Sequence, residues 1–154
     1  MRDRYTKVLL AIVAIGYVGV GAWAALAPRS FYDNFPGGGH HWVSADGPFN
    51  EHLVRDVGTL NLALAAVTIA ALVRPGRYLV QVVAGATLVY AAPHFLYHLL
   101  HLDLFDTSDK VLEVGSLAIT VIVPVLLLIH AWRTDGTASA SPPGGESRSS
   151  STAT

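Results

Sequence analysis

Four apolar runs, each about as long as a membrane-crossing helix, constrain this chain more than any other feature. They cover about Val8 to Ala27, Leu53 to Val73, Tyr78 to Leu100 and Val111 to Trp132. A hydrocarbon core of about 30 Å is crossed by roughly 20 helical residues. In lipid every backbone polar group must be paired within the protein, so runs of this kind fold as helices. Charged residues make up only 14% of the chain, against about 25% in soluble domains. The expectation is an all-α, integral membrane four-helix bundle of up-down topology over residues 1–133.

Three connections separate the runs: a long one from Pro28 to Phe49, a tight "RPGR" at Arg74–Arg77, and "LDLFDTSDK" at Leu102–Lys110. Arg2, Arg4 and Lys7 precede the first run, Arg74 and Arg77 lie in the second connection, and Arg133 closes the fourth run. The other two connections hold only Arg29 and Lys110. Cytoplasmic loops carry the excess of Lys and Arg, so both termini are expected inside, with the first and third connections outside. The first run resembles a signal peptide in its "ALA" at Ala25–Ala27. Its apolar core is longer than the 7–15 residues typical of a signal sequence, and Pro28 follows the would-be cleavage point. An uncleaved first helix is the expectation. From Thr134 onward the chain is rich in Ser, Thr, Gly and Pro, which reads as a disordered cytoplasmic tail over 134–154.

Composition removes several function classes. The chain has no Cys, so thiolate metal sites, Fe–S clusters, disulfides and cysteine nucleophiles are excluded. A net charge of −1 speaks against a nucleic-acid partner. The "GGG" at Gly37–Gly39 lacks the spacing and the lysine of a phosphate-binding loop. No Ser-His-Asp arrangement is identifiable. Gly16, Gly19, Gly21 and Ala25 give the first run a small-residue face, and "AGA" at Ala84–Ala86 does so for the third. Such faces let helix backbones approach closely within the fold. Pro93 and Pro124 each remove a backbone donor and are expected to kink the third and fourth helices.

The ionisable residues gather at one end. Glu51, His52, Arg55 and Asp56 occupy the first two turns of the second run, after Asn50, a suitable cap. "PHFLYHLLHLD" ends the third run and carries His94, His98 and His101 within roughly a 60° arc, with Tyr90 and Tyr97 beside them. Glu113 begins the fourth run. With the assigned topology the two polar stretches are expected to face each other, since ionisable groups at membrane depth are costly unless paired in the interior. Glu51 and Arg55, four apart, suit a helix-surface ion pair.

Three readings of this cluster stand open. A divalent metal, Zn²⁺, Fe²⁺ or Mn²⁺, would take ligands from His52, Asp56, His94 and His98, as a thiol-free His/carboxylate set allows. Haem, or a quinone lying among the tyrosines and small residues, would need His52 together with His94 or His98. A structural network would tie the second helix to the third, with His98 and His101 at headgroup level. The first connection, with Phe31, Tyr32, Phe35, Trp42 and Phe49 around a glycine run, is longer than most loops. It reads either as a lid over the bundle mouth or as an aromatic interfacial segment.

At "APRSFYDNFPG", "NEHLVRDVGTLNLALA" and "APHFLYHLLHLD" the chain resembles small four-span bacterial membrane proteins, loosely DoxX-like. The resemblance covers roughly residues 8–132 in architecture. It implies the bacterial inner membrane and, for some DoxX-like proteins, quinone-linked sulfur or redox chemistry, which is fold-level analogy. Chemistry that depends on thiols does not carry over to a chain without cysteine, and no catalytic residue is transferred. The leading expectation is a membrane protein that binds a small molecule or divalent metal at Glu51, His52, Arg55, Asp56, Tyr90, His94, Tyr97, His98 and His101, accessory to a redox or envelope system. A membrane oxidoreductase using the same cluster and a purely structural scaffold are the alternatives. A proton-coupled transporter of four spans would require a homo-oligomer.

Overall fold

The computed structural model describes residues 4–136. Each apolar run is one long helix: α1 is Arg4–Leu26, and α2 (Pro28–Asn34) and α3 (Trp42–Asp46) lie in the first connection. The remaining long helices are α4 (Glu51–Val73), α5 (Arg77–Leu100) and α6 (Thr107–Gly136). All four long helices are long and apolar enough to cross a membrane. α6 continues to Gly136, into the segment expected to be a polar tail, and residues 137–154 of that segment lie outside the described residues.

Local chemistry sets the ends. The Asn50 side chain accepts from the Leu53 amide at 3.1 Å and opens α4. Asp106 Oδ1 accepts from the Asp109 amide at 2.9 Å and from Ser108 Oγ at 2.8 Å. That cap starts α6 at Thr107 rather than at the first apolar residue, Val111. Pro93 and Pro124 both sit inside helices that run unbroken past them.

Packing divides the helices into two pairs, α1 with α4 and α5 with α6, with less contact between pairs. The first pair is drawn together at Gly21 and Gly58. A Cβ on Gly58 would overlap the Ala24–Ala25 backbone, and one on Gly21 would stand 2.9 Å from the Leu62 nitrogen. Backbones this close need glycine, and the small-residue face of α1 is used within the molecule. Gly16 and Gly19, by contrast, face open space. Leu9, Leu10, Ala71, Val80, Ala84, Leu127 and Ala131 form a core where α1 begins and α6 ends. A smaller cluster of Ala24, Phe31 and Val54, flanked by Trp23 and Phe35, closes the opposite end. Outward surfaces are apolar at mid-helix, with Ile15 73% and Val89 79% exposed. Large contiguous apolar surface of this kind is compatible with an integral membrane protein and foreign to a soluble monomer.

Candidate ligand cavity between the helix pairs

Between the two clusters the helix pairs separate and enclose a cavity of about 510 Å³. Each helix lends it one face at helical period. α5 contributes Thr87, Tyr90, His94 and His98; α6 contributes Glu113, Ser116, Thr120 and Val123; α4 contributes Val54, Val57 and Asn61. α1 adds Ile12, Val13, Gly16 and Tyr17. Ile12 and Gly16 on α1 and Ser116, Ile119 and Thr120 on α6 are exposed members of this lining, so the cavity opens sideways between α1 and α6.

Its ionisable groups collect at the end beneath the first connection. Glu113 is 1% exposed. His98 Nδ1 stands 2.8 Å from Glu113 Oε1, an ion-pair distance without hydrogen-bond alignment, so neither carboxylate oxygen has a hydrogen-bond partner among the described residues. A buried carboxylate left in this state is costly. His94 stacks on Tyr90 with centroids 5.5 Å apart and meets His98 edge-on at 4.7 Å. Lower in the cavity Asn61 donates to the Val57 carbonyl at 2.8 Å and lies 3.4 Å from the Tyr90 hydroxyl.

The first connection folds over this end. Gly37, Gly38 and Gly39 all have positive φ, which lets a two-residue hairpin of β1 (Pro36–Gly37) and β2 (His40–His41) turn back on itself. Phe35 and Trp42 flank the hairpin and pack edge to face with centroids 6.1 Å apart. Phe31, Phe35, Trp42, Val43 and Asp46 line the cavity roof. Trp42 Nε1 donates to Asp109 Oδ1 at 3.0 Å, and His40 pairs with the same carboxylate. Tyr97 donates to Asp46 Oδ1 at 3.0 Å, so the roof is fastened to both α6 and α5.

The residues singled out in the sequence fall into separate groups. Tyr90, His94 and His98 line the cavity. Tyr97 and His101 stack on each other, with centroids 4.1 Å apart, and are not part of the lining. His101 leaves the helix at its C-terminal cap, so its position on the helical arc no longer sets its direction. Glu51, His52, Arg55 and Asp56 lie on the exposed side of α4. Arg55 pairs with Glu51 at 2.8 Å and also donates to the Ala25 carbonyl of α1, while His52, 88% exposed at its side chain, lies 3.2 Å from Asp56. The charged stripe of α4 therefore does not face α5. Sitting in the first turns of the helix, it is satisfied by its own neighbours and by the end of α1. His52 and Asp56 are not brought together with His94 and His98, and no group of three or more His, Asp or Glu side chains is placed to hold a metal ion among the described residues.

The carboxylates at the cavity, Glu113 and Asp46, and its buried amide, Asn61, were not among the expected site residues. Two of them had a signal in the sequence: Glu113 begins a polar series with Ser116 and Thr120 along an apolar helix, and Asn61 interrupts "LNLALA". A polar residue inside an apolar span marks a site by default. Asp46 lies in a loop segment with no comparable pattern. Comparison with protein-family models, with curated proteins and with solved structures found no match to this chain.

Proposed function

We propose that this chain is a bacterial inner-membrane protein, with both termini cytoplasmic, that binds a small lipophilic molecule in the cavity between its helix pairs. Lys and Arg placement supports the orientation. The loosely DoxX-like resemblance belongs to the same proposal. The observation that carries the binding reading is Glu113: a buried carboxylate that the His98 ring approaches without an aligned hydrogen bond, at one end of a largely apolar cavity of ligand size. The lateral opening between α1 and α6 would admit a ligand from the hydrocarbon phase.

Gly16 and Gly19 provide a matched test, because a Cβ at either position meets nothing within 4 Å, but only Gly16 borders the cavity. Detergent-purified protein titrated with the neutral polarity-sensitive dye Nile red should show saturable binding near one dye per chain. Gly16→Phe should abolish it and Gly19→Phe should leave it intact. Equal binding by the two variants would place the dye elsewhere and overturn the proposal.

A further inference from the structure

We infer that the cavity selects a lipophilic ammonium, a molecule with an apolar body and a protonated amine head, over neutral or anionic amphiphiles of the same size. The inference rests on the cavity being a ligand site, as proposed above.

The lining is chemically one-sided. It contains two carboxylates, Glu113 and Asp46, and two imidazoles, His94 and His98, while none of its members is Lys or Arg. An anionic head would therefore meet two carboxylates and no permanently charged Lys or Arg. A neutral hydroxyl brings a single donor and leaves the second Glu113 oxygen unpartnered. A primary ammonium brings three donors on one point charge, enough for both Glu113 oxygens and an imidazole nitrogen. Hydrogen bonds to a charged partner in such a setting are the strong ones, and leaving a buried charge unpaired is the costly alternative. The rings of Tyr90, Trp42, Phe31 and Phe35 in the same lining add aromatic surface of the kind that attracts cations. Polarity runs along the cavity in a matching direction. The acids and imidazoles lie under the roof, and Ile12, Val13 and Val123 lie toward the opposite core. A single amphiphile fits this layout with its head at Glu113 and its chain pointing away from the roof.

The test compares decylamine, decanol and decanoate as displacers of Nile red, with the full chain in phosphatidylcholine nanodiscs, which contain no primary amine. Decylamine should displace the dye at about tenfold lower concentration than decanol, with decanoate weakest. Glu113→Gln should erase the advantage of decylamine and leave decanol unchanged. Asp46→Asn, at an exposed roof position, should narrow it by about threefold and keeps the test decisive if the Glu113 variant does not fold. Replacing part of the phosphatidylcholine with phosphatidylethanolamine separates two sources of the same head. Loss of dye binding assigns the ammonium to a lipid headgroup, and retention assigns it to a free amine. Dye binding with equal displacement by amine and alcohol, or an amine preference that survives both substitutions, overturns the ammonium assignment while leaving the cavity as a ligand site. Absence of saturable dye binding by the wild type overturns both.

Discussion

Replacing Gly58 with alanine adds one methyl carbon where α1 and α4 are closest. That carbon would stand 2.9 Å from the Ala24 carbonyl carbon and the Ala25 Cα, and closer still to the Ala25 nitrogen. All three are backbone atoms and cannot swing aside as a side chain would. Carbon–carbon contacts settle at about 3.5–4.0 Å, so the helices must part by about 0.6 Å or more. That shift loosens packing along the whole pair, including the neighbouring approach at Gly21. Overpacking of a tight core costs about 1–3 kcal/mol. Alanine's better helix propensity returns up to about 1 kcal/mol. The net expectation is a loss of about 1–2 kcal/mol. Gly19→Ala, where a Cβ meets nothing within 4 Å, gains the propensity alone and should be neutral or slightly stabilising. Helicity followed by circular dichroism during denaturation in mixed detergent and dodecyl sulfate reads both variants. Opposite signs are expected. A Gly58→Ala protein as stable as the Gly19→Ala protein would refute the close pairing of α1 with α4.

The absence of natural cysteine makes single-cysteine labelling free of background. On intact cells a membrane-impermeant maleimide should label Ser44→Cys in the first connection, and label Pro75→Cys only after permeabilisation; the reverse pattern would invert the topology. Asp106, which caps α6, is held below the ordinary carboxylate range chiefly by the Asp109 amide, with the Ser108 hydroxyl adding to it. A carboxyl with a depressed folded value stabilises above its unfolded value, near about 3.9, and loses that contribution as pH falls through the folded one. The stability difference between wild type and Asp106→Ala should accordingly be full at neutral pH and vanish in acid, and a difference that grows in acid would contradict the cap.

Much of this fold was legible because long apolar helices are written in long stretches. Run length announced four helices, and Asn50 and the Glu51–Arg55 spacing announced local structure found at those positions. The site was half legible. His94 and His98 were singled out, and they line the cavity together with Tyr90. For the partner helix, charge on an apolar run suggests an inward face by sequence. In the first two turns of α4 the reverse holds, since His52, Arg55 and Asp56 are exposed and the inward face is Val54, Val57 and Asn61. Glu113 belongs to the polar end by sequence, but its position there carries no site signal, because an acid near a helix start is ordinary. Only the packing of α6 against α5 shows that its carboxylate is buried beside His98. The fold of the first connection depends on contacts distant in sequence, Trp42 with Asp109 and Tyr97 with Asp46, which local pattern does not encode.

The proposed site is the interior between the helix pairs and not the charged outer face of α4. Two single-cysteine proteins test it directly: Ser116→Cys, at the lateral opening of the cavity, and His52→Cys, on the exposed face of α4. Labelling of both in nanodiscs by a membrane-permeant maleimide would be timed with and without saturating Nile red. Bound dye should slow the reaction at position 116 several-fold and leave position 52 unchanged. Equal protection at both positions, or protection at 52 alone, would contradict an interior site.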